Sequence, residues 1–238
     1  MIIIPARMAS TRFPNKILAK IDGVPMVVKT AKAVKDIDKV VIATDSEEVV
    51  KISNDYGFKA VLTSKNHKSG TDRINEAAAK LGLDKNEIII NVQADEPFIE
   101  KEVVKKVFVL TKKNLQNENI LMNSAYKLVE KEEAKDPNLV KVVTDSSNIA
   151  LYFSRSLIPY PRGDTKKYKG HLGIYGFSRK NLEKFCSLEP APLEDIEKLE
   201  QLRALYHGYK VALVEVKTES FGIDTPHDLQ RTLKSKGL

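Results

Sequence analysis

The first loop of the chain carries the residues best suited to bind a phosphorylated ligand. Arg7, Arg12 and Lys16 lie within ten residues of one another, with the hydroxyls of Ser10 and Thr11 between them. Backbone N–H groups and cations of such a loop can share the negative charge of a polyphosphate. The glycines of a Walker A loop or a G-x-G-x-x-G turn are absent. A solvated basic loop is the alternative interpretation.

Two segments carry candidate carboxylates. Asp95 and Glu96 follow an apolar run, and neighbours on an extended chain point to opposite sides, so we expect only one to face a ligand. Mg²⁺ prefers one or two carboxylates together with substrate phosphate oxygens. A helix N-cap is the alternative role. Asp224 precedes Thr225 and Pro226, where capping of a following helix explains the pattern without any metal.

The segment from Ser69 to Arg73 predicts a helix start that presents N–H groups and an arginine. Such a start suits an anion or a nucleotide edge, and a plain capped helix is the alternative. The four histidines show no spacing typical of a zinc site. His171 is distinctive because it opens an apolar segment. Cys186, with Phe185 and Leu188 nearby in sequence, is interpreted as a packing residue.

These residues follow elements whose order predicts an α/β fold. Apolar runs indicate strands, and apolar residues at helical spacing indicate helices. The alternation favours a largely parallel sheet with helices on both faces and with ligands beyond the carboxyl ends of its strands. Asp45 is expected to cap the second helix. The predicted strands are 1–4, 39–43, 59–63 and 87–92, and the predicted helices are 25–35, 46–55, 71–81 and 100–113.

The second half of the chain is less regular and predicts a smaller mixed β region. A stretch rich in proline, glycine and lysine, 159–170, is expected to be mobile. The predicted strands here are 121–128, 139–144, 149–154, 171–177 and 210–216, and the predicted helices are 193–207 and 226–235.

Composition excludes several classes of protein. Hydrophobic residues make up 42% and charged residues 30%, which is typical of a folded globular chain. The net charge of +7 comes from 31 Lys and 8 Arg against 32 acidic residues, and the lysines are dispersed as on a solvated surface. Because aromatic residues are 7% and tryptophan is absent, nucleic-acid binding is not favoured. The apolar runs are too short to span a membrane. No secretory signal is recognised, and a single cysteine suggests a reducing compartment.

Taken together, the motifs resemble one enzyme family, the 3-deoxy-manno-octulosonate (Kdo) cytidylyltransferases, or CMP-Kdo synthetases. The resemblance extends in order over nearly the whole chain. It is carried by Pro-Ala-Arg-x-x-Ser-x-Arg-x-Pro-x-Lys at 5–16, Ser-Gly-Thr-Asp-Arg at 69–73, Asn-Val-Gln-x-Asp-Glu-Pro at 91–97, Leu-Tyr-Phe-Ser-Arg at 151–155, His-Leu-Gly-Ile-Tyr at 171–175 and Gly-Ile-Asp-Thr-Pro at 222–226.

The resemblance implies a nucleotide-diphospho-sugar transferase type of fold, with one domain over 1–238. Its nucleotide-binding half would be 1–115, and its sugar-binding and dimerisation half 116–238. The implied reaction joins CTP and Kdo into CMP-Kdo and pyrophosphate for lipopolysaccharide synthesis, with Mg²⁺ as cofactor, in a cytoplasmic homodimer. A cytidylyltransferase for another acidic sugar, 8-amino-Kdo or a sialic-acid-like acid, is the alternative.

The resemblance also implies roles for individual residues. The catalytic set would be Arg7, Lys16 and Asp95. Mg²⁺ would be held by Asp95 and Asp224. The nucleotide would be bound by Ala6, Arg7, Ser10, Arg12, Lys16, Arg73 and Gln93. The sugar acid would be bound by Arg155, Arg162, His171, Tyr175, Glu200 and Gln201. Arg203 is expected to be structural.

Two positions depart from the family pattern, which usually has glycine where this chain has Asn15 and Ala94. Asparagine tolerates a positive φ, so Asn15 is expected to preserve its turn. Ala94 would be unfavourable if its backbone were left-handed.

Overall fold

The computed structural model describes residues 1–9 and 13–235, and strands alternate with helices through much of the chain. The strands are β1 (Ile2–Ala6), β2 (Lys20–Ile21), β3 (Val24–Pro25), β4 (Val40–Thr44), β5 (Lys59–Leu62), β6 (Ile88–Asn91), β7 (Ile120–Glu130), β8 (Lys141–Thr144), β9 (Ala150–Ser154), β10 (Lys167–Ser178) and β11 (Lys210–Glu215).

The helices begin and end close to the positions that the sequence predicts for most of them. They are α1 (Met26–Val34), α2 (Glu47–Asp55), α3 (Gly70–Lys80), α4 (Lys101–Lys113), α5 (Lys131–Ala134), α6 (Arg179–Ser187), α7 (Pro192–Glu197), α8 (Gln201–Tyr206) and α9 (Pro226–Ser235), with one 3₁₀ turn at Lys16–Leu18.

The described residues form two compact units. Residues 1–83, 91–104 and 219–235 belong to the first unit, and 84–90 and 105–218 to the second. The C-terminal segment thus belongs to the same unit as the N-terminal strands. None of the helices in the described ranges has the length and apolar character needed to cross a bilayer.

The first unit contains a parallel arrangement of strands in which β4 lies between β1 and β5. β1 is a run of β-branched residues ending in Pro5 and Ala6, and it is buried along its whole length, as expected for a strand covered on both faces. The loops that follow the carboxyl ends of these parallel strands therefore lie at one edge of the sheet.

Side-chain caps explain where α2 and α3 of the first unit begin. Ser69 caps α3 by accepting a hydrogen bond from the Asp72 amide, so the predicted helix start is confirmed and its alternative role as a capped start is also present. The cap of α2 is Ser46, whose hydroxyl accepts from the Val49 amide, so the prediction for Asp45 is wrong. The Asp45 carboxylate instead accepts from the Met8 amide.

The second unit has mixed strand pairing, with the strand order β11, β7, β10 and β6. β7 pairs with β10 in antiparallel and with β11 in parallel orientation, and β8 pairs with both β10 and β9. The large aromatic side chains of its core are Phe153, Phe177 and Phe185, each with no exposed surface. The strand pairings of the two units confirm the predicted α/β class, with parallel pairing in the first unit and mixed pairing in the second.

Two predictions in the second unit differ in detail from the structure, and the helix α6 is absent from the predictions. β10 begins at Lys167 and not at the predicted residue 171, so its first residues come from the stretch 159–170. The helix predicted over 193–207 is two short helices, because Lys198 adopts a left-handed conformation with φ 52°. The sequence reasoning missed α6, although two signals of a helix are present. Ser178 caps it, and Leu182 and Phe185 form a buried apolar face.

Candidate functional site

A polar cavity of about 310 Å³ in the first unit is formed by the loops after β1 and β5 and the segment after β6. These are three of the loops in which a ligand is expected for this fold. The lining residues are Pro5, Arg7, Ala9, Lys16, Ile17, His67, Lys68, Ser69, Gly70, Arg73, Gln93, Ala94, Asp95 and Asp224.

Lys16 forms the ionic centre of this cavity. Its Nζ lies 2.5 Å from an oxygen of Asp95 and 3.0 Å from an oxygen of Asp224. Burial by itself lowers the pKa of Lys16, but the two carboxylates outweigh burial and raise that pKa above its usual value. Lys16 therefore remains a cation held between two carboxylates from segments far apart in the chain.

Backbone contacts hold the two carboxylates in place. The Ile223 amide donates to the Asp95 carbonyl at 2.9 Å, which fixes the C-terminal loop against the segment after β6. The Asp228 carboxylate then accepts hydrogen bonds from the Asp224 and Thr225 amides at 3.2 and 2.9 Å. These bonds orient Asp224 at the start of α9.

Glu96, next to Asp95, does not line the cavity. Burial of its carboxyl, together with the nearby charge of Asp95, raises the pKa of Glu96 to about 8. Its carboxyl is therefore largely protonated at neutral pH and adds little negative charge. This agrees with the prediction that only one of the two neighbours faces a ligand.

Cations and backbone amides line the rest of the cavity. Arg7 is exposed at its wall, and Lys68 precedes the N-terminus of α3. Gly70 lets this helix start lie close to β1, because a Cβ there would lie 3.1 Å from Pro5 Cγ. Arginine, lysine and the N–H groups of a helix start are all suited to phosphate oxygens.

His67 is a cavity residue that the sequence reasoning missed. Its Nε2 pairs with the Glu76 carboxylate, which also accepts from the Ser64 amide at 2.9 Å. Although burial alone would raise the pKa of Glu76, these hydrogen bonds and the charge of Lys80 lower it to about 2. Glu76 thus fixes the loop that carries His67 and Lys68. The position of His67 directly before Lys68 and Ser69 was the available signal.

Arg73 lines the cavity, but its guanidinium is largely engaged by the protein. Nη2 donates to Asp45 at 2.9 Å, and Nη1 lies 2.7 Å from Thr63 Oγ1 and 3.2 Å from the Ser64 carbonyl. Its side chain is 3% exposed. Arg73 therefore supports the cavity wall, while Gln93 reaches the cavity from the segment after β6.

The other predicted nucleotide and loop residues have different outcomes. Ala6 is buried at the end of β1 and does not line the cavity. Ser10 and Arg12 lie outside the described residues. Asn15 adopts φ 53°, so the expected left-handed turn is confirmed. Ala94 has no positive φ, and its carbonyl accepts a hydrogen bond from Thr30 Oγ1 at 2.9 Å.

In the second unit, three predicted sugar-binding residues form a buried cluster. The rings of His171 and Tyr175 have centroids 5.7 Å apart, and Tyr175 Oη donates to Gln201 Oε1 at 3.1 Å. Gln201 is 1% exposed, and its Nε2 has no hydrogen-bond partner among the described residues. A buried amide donor in this state can be satisfied by a ligand oxygen. His171, Tyr175 and Gln201 are called the His171 cluster below.

The remaining predicted sugar-binding residues are arranged differently. Arg155 Nε donates to the Glu197 carbonyl at 2.8 Å, and its Nη1 donates to the Pro137 carbonyl at 3.0 Å. Glu200 directly precedes α8. Arg162 is exposed, and its guanidinium makes no hydrogen bond with the described residues. The structure thus does not show Arg162 in contact with the cluster.

Two charged residues support the second unit. Lys141 is fully buried, and its Nζ donates to the carbonyls of Asp136, Leu139 and Arg155 at 2.9, 2.6 and 2.6 Å. Burial lowers the pKa of Lys141. Arg203 pairs with Glu194 through two hydrogen bonds, which agrees with its expected structural role.

Comparison with known proteins decides the family. The family model described as cytidylyltransferase matches residues 1–215. The chain belongs to the cytidylyltransferase family. Within the family, a protein of a Nitratiruptor species named 3-deoxy-manno-octulosonate cytidylyltransferase is 63% identical over 231 residues, covering 97% of both chains. A protein of the same name from Helicobacter pylori is 52% identical, covering 98% of this chain and 96% of its own.

Solved structures support the same assignment. A structure described as CMP:2-keto-3-deoxy-manno-octonic acid synthetase complexed with CTP superposes with a TM-score of 0.88 and 36% identity, covering 100% of this chain and 98% of its own. A cytidylyltransferase from Leptospira borgpetersenii serovar Hardjo-bovis has a TM-score of 0.61 at 20% identity, covering 98% and 84%, and shows the fold alone. The predicted α/β fold of the nucleotide-diphospho-sugar transferase type is confirmed.

Proposed function

We propose that this cytidylyltransferase transfers CMP from CTP to the anomeric 2-hydroxyl of Kdo, giving CMP-Kdo and pyrophosphate. The observation that carries the proposal is the convergence of Asp95 and Asp224 on Lys16 within a cavity lined by further cations. This arrangement suits a nucleoside triphosphate with its metal ion. The relatives' names favour Kdo over another acidic sugar as the acceptor.

The donor set fits magnesium. In residues 1–9 and 13–235 no group of three or more His, Cys, Asp or Glu forms a complete metal cage. Asp95 and Asp224 nevertheless converge on the same cation, and Mg²⁺ commonly takes one or two carboxylates plus phosphate oxygens. Mg²⁺ held there would supply neutralisation of charge on the phosphates.

The reaction is an in-line displacement at the α-phosphorus of CTP. A bond forms from the 2-hydroxyl oxygen of Kdo to this phosphorus, and the bond to the bridging oxygen of pyrophosphate breaks. Pyrophosphate leaves with the electron pair, and the hydroxyl proton passes to solvent. Arg7, Lys16 and Lys68 bind phosphate oxygens and offset the charge that builds on them, without forming a covalent intermediate.

The His171 cluster is proposed to receive the sugar acid. Gln201 Nε2 is a buried donor that needs an acceptor, and sugar hydroxyls and carboxylates supply acceptors. Arg155 and Arg162 are proposed to contribute to binding of the sugar carboxylate. The finer proposals are that the enzyme is a homodimer, acts in the cytoplasm and serves lipopolysaccharide synthesis.

A panel of substrates tests the proposal. The enzyme is incubated with Mg²⁺ and each pairing of CTP or UTP with Kdo, 8-amino-Kdo or sialic acid, and pyrophosphate release is measured. We expect release with CTP and Kdo, and at least tenfold less with the other pairings. Binding of CTP without pyrophosphate release for any sugar would instead indicate a catalytically silent nucleotide-binding protein.

A further inference from the structure

An irregularity in the sheet of the second unit lies beside the His171 cluster. Leu172 of β10 pairs with Ala125 of β7, but the next pair along is Gly176 with Asn123. Three residues of β10 therefore lie opposite one residue of β7, Ser124. A bulge of this kind breaks the ladder of backbone hydrogen bonds and redirects neighbouring side chains.

The Ser124 hydroxyl occupies this break. Its Oγ lies 2.8 Å from the Ile174 carbonyl, 3.1 Å from the Leu172 carbonyl and 2.9 Å from His171 Nε2. Ser124 has no exposed surface, so water does not compete for these contacts. One hydroxyl thus connects the bulge to the imidazole of His171.

Counting protons at Ser124 assigns the tautomer of His171. A hydroxyl has one proton to donate, and carbonyl oxygens only accept. The Ser124 hydroxyl donates its one proton to the nearer Ile174 carbonyl. Its Oγ can then only accept a hydrogen bond from the imidazole, so His171 Nε2 must carry a hydrogen. The opposite assignment would place Oγ against two carbonyl oxygens with no proton between them, which is unfavourable.

This tautomer makes His171 Nδ1 an acceptor. The imidazole contact with Ser124 is made through Nε2, which leaves Nδ1 as the ring atom that can accept from a ligand. The ring is packed edge-on against Phe153 at a centroid distance of 4.8 Å and is 7% exposed. Burial lowers the pKa of His171 to about 3, so the ring is neutral under physiological conditions. A neutral acceptor pairs with a hydroxyl and gives no charge attraction to a carboxylate.

We propose that Ser124 is a positioning residue that holds His171 as the Nε2–H tautomer, so that Nδ1 accepts a hydrogen bond from a hydroxyl of the sugar acid. This inference rests on the proposed function, since it assigns the sugar acid to the His171 cluster. It adds a division of roles: His171 accepts a hydrogen bond from a hydroxyl, and Gln201 Nε2 donates to a ligand oxygen. Specificity for a polyhydroxylated acid follows from that pairing.

The tautomer is tested directly by ¹⁵N NMR of protein labelled at histidine, with the His171 signal assigned by its loss in His171→Gln. In the wild-type protein we expect a protonated Nε2 and an unprotonated Nδ1 at pH 7. In Ser124→Ala we expect signals of both tautomers, because the fixed acceptor is gone. A wild-type His171 protonated at Nδ1 overturns the inference. This measurement needs no turnover, so it stands apart from the proposed function.

Kinetics test the consequence for binding. In Ser124→Ala we expect the KM for Kdo to rise about tenfold, with the KM for CTP unchanged and kcat altered by less than about threefold. Ser124→Thr keeps the hydroxyl and a residue suited to a strand, and should restore the KM to within about threefold. An unchanged KM for Kdo in Ser124→Ala, or a KM for CTP that rises equally, contradicts the assignment.

Ser53→Ala is the matched control. Ser53 is also fully buried, and its hydroxyl donates to the Val49 carbonyl at 2.6 Å within α2 of the first unit. We expect this variant to leave the KM for Kdo unchanged. A wild-type enzyme that fails to release pyrophosphate with Kdo would refute the proposed function, while the NMR result would still decide the tautomer.

Discussion

Replacing Asp95 with asparagine tests the centre of the proposed mechanism. The change keeps the shape of the side chain and removes one of the two carboxylates beside Lys16. The lost contact is an ion pair at 2.5 Å between side chains that are 12% and 26% exposed. Because Asp224 remains 3.0 Å from Lys16 Nζ, the cation does not become buried without a partner. We therefore expect a loss of only about 1 kcal/mol in the free energy of unfolding.

The expected effect on catalysis is much larger. Removing one charged contact of this kind costs about 3 kcal/mol of transition-state stabilisation, which corresponds to a loss in turnover of about 100-fold or more. Pyrophosphate release is measured for Asp95→Asn with CTP and Kdo over a series of Mg²⁺ concentrations. We expect the loss to persist at saturating Mg²⁺, because the asparagine amide cannot replace the negative charge.

A surface carboxylate provides the control. Asp36 pairs with Lys101, and both side chains are about half exposed, so Asp36→Asn removes the same charge away from the cavity. This variant should retain wild-type turnover. The mechanism is wrong if Asp95→Asn turns over within about threefold of the wild-type rate at saturating Mg²⁺, or if Asp36→Asn loses as much activity.

Three further predictions concern stability. Arg73→Met leaves the Asp45 carboxylate without its buried guanidinium and should lower the free energy of unfolding by about 3 kcal/mol in urea titrations; a loss below about 1 kcal/mol would contradict this role. Lys141→Met leaves three inward-facing carbonyls without a donor and should cost about 3 kcal/mol in the same assay, whereas unchanged stability would show that water replaces the ammonium. The imidazole of His171 is protonated below about pH 6.5 when unfolded, but only near pH 3 when folded, so stability is lost as the pH falls through this window. The stability of the wild type relative to His171→Gln should therefore fall by about 1.4 kcal/mol per pH unit from pH 6 to pH 4. If the unfolding free energies of the two proteins instead change in parallel with pH, His171 is not buried as a neutral ring.

The sequence predicts the first unit better than the second, for a physical reason. β1, β4 and β5 are short apolar runs paired in parallel, and α1 and α2 between them bury apolar side chains. Such elements depend on residues close in sequence, so their periodicity is a reliable signal. The helix predicted over 193–207 depends on more than periodicity. A single left-handed residue, Lys198, interrupts this helix, and the spacing of apolar residues does not predict the interruption.

The candidate site shows the same limit. Loops after parallel strands converge at one edge of a sheet, so the sequence could predict that Arg7, Asp95 and the start of α3 contribute to one cavity. The sequence could not show which arginine N–H groups donate to the protein itself and which remain available to a ligand. Arg73 and Arg155 both lie in polar segments that predict ligand binding, yet each gives several hydrogen bonds to the protein itself. Only the tertiary contacts separate a guanidinium that supports a wall from one that faces a ligand.

Asp224 shows how tertiary structure decides between two interpretations of one motif. The sequence before α9 leaves either Asp224 or Thr225 as the helix cap. In the structure Thr225 Oγ1 accepts from the Asp228 amide at 3.1 Å, and the Asp228 carboxylate accepts from the Thr225 hydroxyl at 2.8 Å. Because this reciprocal pair caps the helix, the Asp224 carboxylate can lie against Lys16. The capped start of α9 thus places a carboxylate from near the C-terminus in a cavity that is formed mainly by loops after the N-terminal strands.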